Sequence, residues 1–433
     1  MRAKGRSKFY QSIEHIQAQP TLKSLRGFTL TLFALFFFHL QGHAQLTDEE
    51  LIVPVAENEI KIMAYNLHNL FDAEHDEGKR DFEFLPITHP MKARCFDNFS
   101  RSFLSSLTGV SGFTNEPLSF SDNDVRLFYD GDRLTPNPRM NFCAETDWTD
   151  EKVDIKIGQK VKVIDAQGDL PDVLVLSEVE NAHVVGRLAE ALGYPGFFIT
   201  ESPDRRGIEL AVLYRTEKLT PIEFRERELR QALYPTRNLS VAHFRLNPEL
   251  GGGVLAVFPN HWPSQGNPVE ARLIAARGVR RFINDSRRRF QDEPNYHIVV
   301  TGDFNTVDSD SPHPFETVFK DPRWRYTLLD VRRLVDVTKS PIRNRLSPGT
   351  FYYATNNQWN ELDKIFVDES LFNGEGLVVD PHSYRIHTPS FATREHNRGG
   401  IIPYRYNHRT DNPEWVGYSD HFAVLVKLSY VGR

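Results

Sequence analysis

The chain has 433 residues, of which 40% are hydrophobic and 25% are charged, and its formal net charge is −6. This composition is ordinary for a soluble globular protein, and the length allows one large domain or two medium ones. The negative charge excludes a general attraction for polyanions, so any contact with nucleic acid has to be local and to involve a divalent cation.

Residues 1–44 have the pattern of a targeting segment. A basic region precedes an apolar run from Phe28 to Leu40, and Gly42-His43-Ala44 offers small residues before a cut at Gln45. Such a run is typical of a signal peptide and is short for a membrane span, which needs about 20 residues. We therefore expect a signal peptide at 1–44, export to the periplasm or the medium, and no stable membrane insertion after cleavage. The alternative is an uncleaved anchor.

Loss of this segment removes six basic residues and one acidic residue and so takes the net charge from −6 to −11.

Both cysteines, Cys95 and Cys143, follow the cleavage point. In an oxidising compartment they could pair and close a loop of roughly 50 residues, worth about 4 kcal/mol on the chain-entropy model. The alternative is two free, buried thiols. No Cys and His residues have the spacing of a zinc site.

The predicted elements begin after a short acidic leader at residues 45–58. Alternating or continuous apolar runs predict strands at 59–66, 171–178, 207–214, 253–258, 296–300, 362–367 and 422–428. Apolar faces at helical spacing predict helices at 150–164, 182–192 and 268–290, the last with Asn267 as its N-cap.

Three stretches lack strong periodicity. Residues 73–148 read as a long insertion, in part ordered and in part loop, and residues 306–350 and 380–416 read as turn-rich or loop segments. Strands and helices are mixed without strict βα alternation, which disfavours a purely parallel sheet. We expect one domain over residues 59–430.

Polar residues stand at the ends of most predicted strands. After the apolar strand at 296–300, Asp303 and Asn305 follow two positions apart, and alternation sends both side chains to the same side. The other members of this set are Asn66, Glu178, Glu209, His261, Asp363, Asp420 and His421.

Each residue of the set has an ordinary explanation by itself, either as a turn former or as a hydrogen-bonded structural histidine. The complete set predicts a catalytic site instead. Carboxylate and amide oxygens suit Mg²⁺, with Mn²⁺ as an alternative, and histidine can supply a proton near neutral pH.

The motifs around these residues resemble the endonuclease/exonuclease/phosphatase superfamily, which has the deoxyribonuclease I-like fold. In order, they are Tyr65-Asn66, Ser177-Glu178, Asn260-His261, Gly302-Asp303-Phe304-Asn305, Leu362-Asp363-Lys364 and Ser419-Asp420-His421. The stretches 66–72 and 178–181 look like those of an exported bacterial, endonuclease-like branch. The resemblance implies an α/β fold of the α+β type: a four-layer α/β/β/α sandwich of two mostly antiparallel sheets.

The resemblance also implies a role for each residue of the set. Glu178 would be the main metal ligand, helped by Asn66 and Asp420. Asp303 would orient and deprotonate the attacking water, and Asn305 would hold the water and the phosphate.

Two histidines complete the site that the resemblance implies. His421 would contact the phosphate, with its ring fixed by Asp363. His261 would assist the leaving oxygen, oriented by Glu209. Such carboxylate–histidine pairs also make chemical sense by themselves, because the carboxylate fixes the tautomer and raises the basicity of the ring.

The implied function is metal-dependent hydrolysis of phosphodiesters, with an exported, monomeric endonuclease acting on DNA or RNA as the leading hypothesis. The alternatives are a phosphomonoesterase, a sphingomyelinase-like phosphodiesterase, and a non-catalytic binding protein. One departure matters: Glu180 stands where pancreatic-type deoxyribonucleases carry an arginine for the DNA minor groove, and we expect it to repel phosphates. Arginines such as Arg205, Arg206 and Arg405 could supply a local basic rim, although solvated surface positions are an equally good reading.

Overall fold

The computed structural model describes residues 45–95, 127–130, 133–136, 138–230 and 232–432, and these belong to one compact unit. The predicted signal peptide and the part of the insertion at 96–126 lie outside the described residues. Among the described helices, none combines the length and the apolar character that crossing a membrane requires.

The described secondary structure mixes strands and helices along the whole chain. Its strands are β1 (Glu59–Leu70), β2 (Leu127–Asp130), β3 (Arg133–Pro136), β4 (Val173–Val179), β5 (Gly196–Ile199), β6 (Glu209–Tyr214), β7 (Leu219–Arg227), β8 (Leu239–Leu246), β9 (Val254–His261), β10 (Tyr296–Asp303), β11 (Leu328–Asp330), β12 (Phe351–Tyr353), β13 (Gln358–Asn360), β14 (Asp363–Asp368), β15 (Gly376–His387), β16 (Thr393–His396), β17 (Gly400–Pro403) and β18 (Ala423–Val431). Its α-helices are α1 (Asp48–Leu51), α2 (Pro138–Glu145), α3 (Asp150–Asp165), α4 (Ala182–Leu192), α5 (Val269–Arg289) and α6 (Val331–Val337). Short 3-10 turns occur at Phe82–Phe84, Pro90–Cys95, Pro248–Leu250, Glu369–Phe372 and Ser390–Ala392, and a π-turn at Phe315–Phe319.

Two six-stranded sheets carry the fold. The first has the order β15-β18-β1-β4-β6-β5 and the second the order β11-β14-β10-β9-β8-β7. The central pair of each sheet, β1 with β4 and β9 with β10, is parallel. Every other neighbouring pair in the two sheets is antiparallel, as in β1 with β18 and β10 with β14. The prediction of two mostly antiparallel sheets is confirmed.

The sheets pack face to face, with helices outside, because successive side chains of a strand point to opposite faces. Ile62 of β1 lies in an apolar core together with Val257 of the second sheet. Met63, the next residue, packs instead in an outer cluster with Val153 of α3. On the other side of the molecule Phe282 of α5 covers the second sheet. The four-layer α/β/β/α sandwich is confirmed.

The three predicted helices are present as α3, α4 and α5, although α5 begins at Val269 with Pro268 as its N-cap rather than Asn267. Within the two main sheets, strands β5, β7, β8, β11 and β15 were not predicted, and β15, β16 and β17 correct the expectation of a loop at 380–416. β7 and β15 are edge strands that contain Pro221 and Pro381 and several polar residues. Edge strands tolerate proline and exposed polar groups, so their sequences lack a clear alternating pattern.

The described parts of the insertion are tied to the domain. Cys95 and Cys143 form a disulfide bond, which confirms the predicted pairing. Phe82 and Leu85 surround this bond in a small apolar cluster. Phe84 stacks on Phe71, which follows β1, with ring centroids 4.1 Å apart. The insertion therefore packs against the strand that leads into the candidate site.

Candidate active site

The candidate site lies where the central parallel strands of the two sheets end. In the second sheet His261, the last residue of β9, is in register with Asp303, the last residue of β10. In the first sheet Asn66 of β1 pairs with Ser177 of β4, next to Glu178. The Asn66 amide nitrogen is 3.2 Å from Glu178 Oε1 and 3.1 Å from Asp303 Oδ2. One side chain thus joins the functional residues of both sheets.

Asp303 is buried at the centre of the site. Its Oδ1 accepts a hydrogen bond from the Asn305 backbone N–H at 2.8 Å, and its Oδ2 accepts one from the Asn305 amide at 3.1 Å. Burial raises the pKa of Asp303 to about 7; the charge of His421 opposes this shift, and that of Asp363 adds to it. A carboxylate with this pKa can accept a proton near neutral pH, as a general base must.

His421 and Asp363 form the predicted pair, with 2.7 Å between Nδ1 and Oδ2. Burial alone would lower the pKa of His421, but the charge and hydrogen bond of Asp363 outweigh it. Together with the charges of Asp303 and Asp420 they raise the pKa of His421 to about 10. The ring is therefore an imidazolium at neutral pH and can stabilise negative charge.

His261 is in the site but differs from His421 in its charge. Burial lowers the pKa of His261 well below its usual value, and the nearby charges of Arg237 and Arg206 lower it further. The ring is neutral at neutral pH. Its Nε2 is 3.8 Å from Glu178 Oε1 and 3.7 Å from Asp303 Oδ2.

The structure does not bring Glu209 to His261. Glu209 Oε2 accepts hydrogen bonds from the hydroxyls of Thr200 at 2.6 Å and Ser202 at 2.5 Å. His261 Nδ1 is buried and has no hydrogen-bond partner among the described residues. The role expected for Glu209 is thereby corrected: it stabilises the connection between β5 and β6, because its carboxylate is already bonded there.

Glu178 is held in position by the backbone of β1. Its Oε2 accepts a hydrogen bond from the Asn69 backbone N–H at 3.0 Å. Glu178, His68 and Asn69 all have positive φ, at 60°, 53° and 58°. The pairing of β1 with β4 shifts its register between Asn66 and Leu70. A local distortion of the sheet thus presents the Glu178 carboxylate to the site.

Asn66 has a different role from the one expected. Its Oδ1 accepts the His68 backbone N–H at 2.9 Å, so the amide nitrogen faces the two carboxylates. A nitrogen that donates hydrogen bonds cannot bind a cation. Asn66 is therefore corrected from metal ligand to a residue that orients Glu178 and Asp303.

Asp420 lies at the rim of the site together with Glu178. Its Oδ2 is 3.6 Å from His68 Nε2 and 3.8 Å from Arg405 Nε. Burial raises the pKa of Asp420; the charge of His421 opposes the shift and that of Glu178 adds to it. A cation that binds between Asp420 and Glu178 would offset the repulsion that Glu178 exerts on the Asp420 carboxylate.

The donor atoms fit a hard divalent cation. One oxygen each of Glu178 and Asp303 and one nitrogen of His261 lie within 4.8 Å of one another. Asp303, Asp363 and His421 form a second such group, but the protonated ring of His421 has no lone pair to offer. The oxygen-rich first group, with Asp420 nearby, suits Mg²⁺ or Mn²⁺.

A cleft of about 1070 Å³ opens over these residues, and Arg205, Arg206 and Arg237 line it. Arg237 donates to the carbonyl oxygens of His261 at 3.1 Å and Trp262 at 2.7 Å, and so fixes the end of β9. Arg237 also donates to Asp204 Oδ2 at 3.0 Å. Nothing in the sequence around Arg237 marks it as functional, because its partners are two backbone carbonyls and a carboxylate 33 residues away.

Glu180 does not face this cleft. Its side chain is buried, and its Oε2 accepts the Asp72 backbone N–H at 2.8 Å. The expectation that Glu180 repels phosphates is therefore corrected. Its charge is directed into the domain, toward the segment that follows β1.

Comparison with known proteins agrees with this architecture. The model of the Endonuclease/Exonuclease/phosphatase family matches residues 131–430. No curated protein matches the chain significantly.

Several solved structures are similar to the chain. A family member from Bacteroides thetaiotaomicron shares 18% identity at a TM-score of 0.45, covering 86% of this chain and 95% of its own. A family member from Bacteroides vulgatus shares 14% identity at a TM-score of 0.47, and the match covers 86% of this chain and 99% of that one. A mannosyl-6-phosphatase from Bacteroides thetaiotaomicron shares 22% identity at a TM-score of 0.41, and the match covers 65% of this chain and 94% of that one.

The family match spans more than half of the chain, including β4, β9, β10 and β14, which carry the central carboxylates and His261. The chain therefore belongs to the endonuclease/exonuclease/phosphatase family of phosphoester hydrolases.

Proposed function

We propose that the protein is an exported, Mg²⁺-dependent phosphodiesterase that cuts DNA or RNA within the strand. The observation that carries this proposal is the pairing of opposite charge states around one cleft. Asp303, whose pKa is about 7, can act as a base, and His421, whose pKa is about 10, remains positively charged. A base that activates water and a cation that offsets charge on the phosphoryl oxygens are both useful to in-line hydrolysis.

In the proposed reaction the oxygen of a water molecule attacks phosphorus and the ester bond to the leaving oxygen breaks. Asp303 takes a proton from the water, while Asn305 keeps the carboxylate in place. His421 donates a hydrogen bond to a phosphoryl oxygen and offsets the charge that develops there. Neutral His261 offers a ring N–H to the leaving oxygen, which takes its proton from solvent.

Glu178, with Asp420 beside it, would hold the divalent cation. When bound, this ion supplies positive charge that polarises the phosphoryl group. The crowding of buried carboxylates supports the assignment, because Asp303 and Asp420 each have a pKa raised by burial and by the charge of Glu178.

The size and lining of the cleft favour a polymeric substrate. Its volume of about 1070 Å³ is at the upper end of the range of about 300–1000 Å³ for drug-sized ligands. Arg205 and Arg206 can contact phosphates outside the reacting one. Tyr234 and Tyr353 also line the cleft, and aromatic rings can stack on nucleic-acid bases.

A substrate panel tests the proposal. Mature protein is offered plasmid DNA, single-stranded DNA, RNA, sphingomyelin and phosphomonoesters, each with Mg²⁺ and with chelator. We expect chelator-sensitive nicking of DNA or cleavage of RNA, at rates that fall steeply with salt. Phosphate release from monoesters without cleavage of any diester would move the protein to the phosphomonoesterases. Inactivity on every substrate, with Mn²⁺ bound, would favour a non-catalytic binding protein.

Export is supported by the pattern of residues 1–44 and by the Cys95–Cys143 disulfide, since structural disulfides persist in oxidising compartments. We expect the exported chain to begin near Gln45 and to contain no free thiol. Mass spectrometry without reductant measures both properties. An intact Met1 terminus would contradict cleavage, and two alkylatable thiols would contradict the disulfide.

A further inference from the structure

Lys156 lies beneath the site without taking part in the chemistry described above. It belongs to α3, and its side chain is fully buried. Its Nζ donates hydrogen bonds to the carbonyl oxygens of His68 at 2.7 Å and Asn69 at 2.5 Å, and is 3.1 Å from His408 Nε2. One amino group therefore binds two consecutive peptide carbonyls.

Both of these peptides belong to strained residues. His68 and Asn69 have φ of 53° and 58°, in the left-handed region that residues other than glycine adopt rarely and at a cost. Such a conformation persists only when its surroundings hold it. Lys156 is the group that binds both carbonyls from the inside of the domain.

The conformation matters because it directs the Asn69 N–H toward the site. That N–H donates to Glu178 Oε2 at 3.0 Å, while the Asn66 amide donates to Oε1 at 3.2 Å. Both carboxylate oxygens of Glu178 are thus oriented from β1. A turn of the Asn69 peptide would remove one of these two contacts.

The surroundings of Lys156 offer the carbonyls no replacement. Its Nζ is 5.1 Å from the ring centre of Trp148, 4.7 Å from that of Tyr406 and 6.0 Å from that of Phe84. The faces of these rings can stabilise a cation, but they carry no hydrogen-bond donor that could replace Lys156 Nζ at the two carbonyl oxygens. Loss of the Lys156 side chain would remove the donor that both carbonyls share. A carbonyl that loses its donor inside the domain favours a different backbone conformation.

We propose that Lys156 is a positioning residue that holds the His68–Asn69 backbone so that Glu178 is oriented for a divalent cation. The inference rests on the proposed function in one respect, namely that Glu178 binds the metal. It goes further in assigning the affinity of that site to a lysine that contacts neither metal nor substrate.

The chain contains a matched control. Lys61 is on β1 and, like Lys156, is fully buried; it donates to the carbonyl oxygens of Gln167 at 3.4 Å and Asp169 at 2.7 Å. Burial lowers the pKa of Lys61 to about 8 and also lowers that of Lys156. Loss of either lysine removes the side-chain donor of two carbonyls, but only those bound by Lys156 belong to the end of β1 beside Glu178.

The test measures Mn²⁺ binding by calorimetry on metal-free Lys156→Met and Lys61→Met proteins, together with thermal unfolding. We expect Lys156→Met to weaken Mn²⁺ binding, with a dissociation constant about 10-fold higher or more, the range for residues that orient ligands. Lys61→Met should stay within about twofold while losing comparable stability. An unchanged constant in Lys156→Met, or an equal loss in both variants, would overturn the inference.

A second variant distinguishes backbone control from loss of charge or packing. Glycine adopts positive φ without strain, so Asn69→Gly added to Lys156→Met should recover most of the lost affinity. Absence of recovery would overturn the inference. If Lys156→Met does not fold, Asn69→Val with Lys156 intact is measured instead. A β-branched residue disfavors this conformation, so binding should weaken, and an unchanged constant would overturn the inference.

Failure of the inference differs from failure of the proposed function. Wild-type protein that binds no Mn²⁺ would remove the proposed metal site and the inference with it. Wild-type binding that Glu178→Gln abolishes and Lys156→Met leaves unchanged would remove only the inference.

Discussion

Asp303→Asn is expected to lower the rate of phosphodiester cleavage by about 10²-fold or more, the range for a lost general base. The amide cannot take a proton from water, although it occupies nearly the same volume. The comparison is made in single-turnover cleavage of the best substrate of the panel, at saturating Mg²⁺.

The pH dependence of the wild-type reaction identifies the same group. Asp303 must be ionised to act as a base, so the rate should rise as pH increases through about 7. It should fall again near pH 10, where His421 loses its proton. Asp303→Asn should remove the rising limb, and a residual activity that keeps it would assign the base to another residue.

The same raised pKa of Asp303 should make the folded protein less stable as pH increases, whereas the reaction rate increases with pH. The pKa of Asp303 is about 7 in the folded protein and near 3.8 in the unfolded chain. Between these values the folded state holds a proton that the unfolded state has released, so the unfolding free energy decreases as pH rises. Metal-free Asp303→Asn protein should lose this decrease.

Asp368 provides the control for Asp303. It lies at the other end of β14 from Asp363, where its carboxylate accepts the Ile298 backbone N–H at 2.9 Å, and burial raises its pKa to about 6. Asp368→Asn should change stability but leave the rate within about twofold. An equal loss of rate in both variants would indicate that any buried carboxylate in this sheet is needed for folding rather than for chemistry.

Glu178→Gln is expected to abolish Mn²⁺ binding and to reduce cleavage by about 10²-fold or more, because the amide keeps the shape of the side chain but not the charge that a divalent ion needs. Thermal unfolding in metal-free buffer should shift little, since the side chain is 17% exposed and the amide oxygen can still accept a backbone hydrogen bond. Calorimetry, cleavage assays and unfolding on one preparation provide the three readouts.

Glu180→Gln is the matched control for this variant. Glu180 lies two residues further along, is buried, and accepts the Asp72 N–H away from the cleft. Cleavage and Mn²⁺ binding by Glu180→Gln should stay within about threefold of wild type. Unfolding of Glu178→Gln in metal-free buffer, rather than of Glu180→Gln, would make Glu178 a structural residue and refute its assignment as metal ligand.

The sequence by itself determined most strands and helices of the fold, and its resemblance to a known family implied the four layers and most members of the site. Consecutive apolar residues such as Ile62 and Met63 predict a strand with two buried faces, because successive side chains of a strand point to opposite sides. The order of the motifs placed Glu178, Asp303, Asp363 and His421 at strand ends. Residues at the ends of neighbouring strands meet in space, and the family resemblance implied which strands are neighbours.

The helical spacing of α3 also indicates that Lys156 is buried. Lys156 is three residues after Val153 and one before Ile157, on the helix face that was predicted to turn inward. A lysine at such a position has to find partners inside the domain. The spacing indicates burial, but it does not indicate which carbonyls the amino group binds.

Only the tertiary structure decided the pairings. Glu209 bonds Thr200 and Ser202 rather than His261, and Asn66 offers its amide nitrogen rather than its oxygen. The surroundings also make His261 neutral and His421 positively charged, although both are buried histidines at strand ends. These properties depend on atoms that are distant along the chain, and many of them are backbone atoms, which every residue type carries. Residue identity therefore defines the set of groups at the site, whereas the packing of the two sheets decides which atom of each group faces which partner.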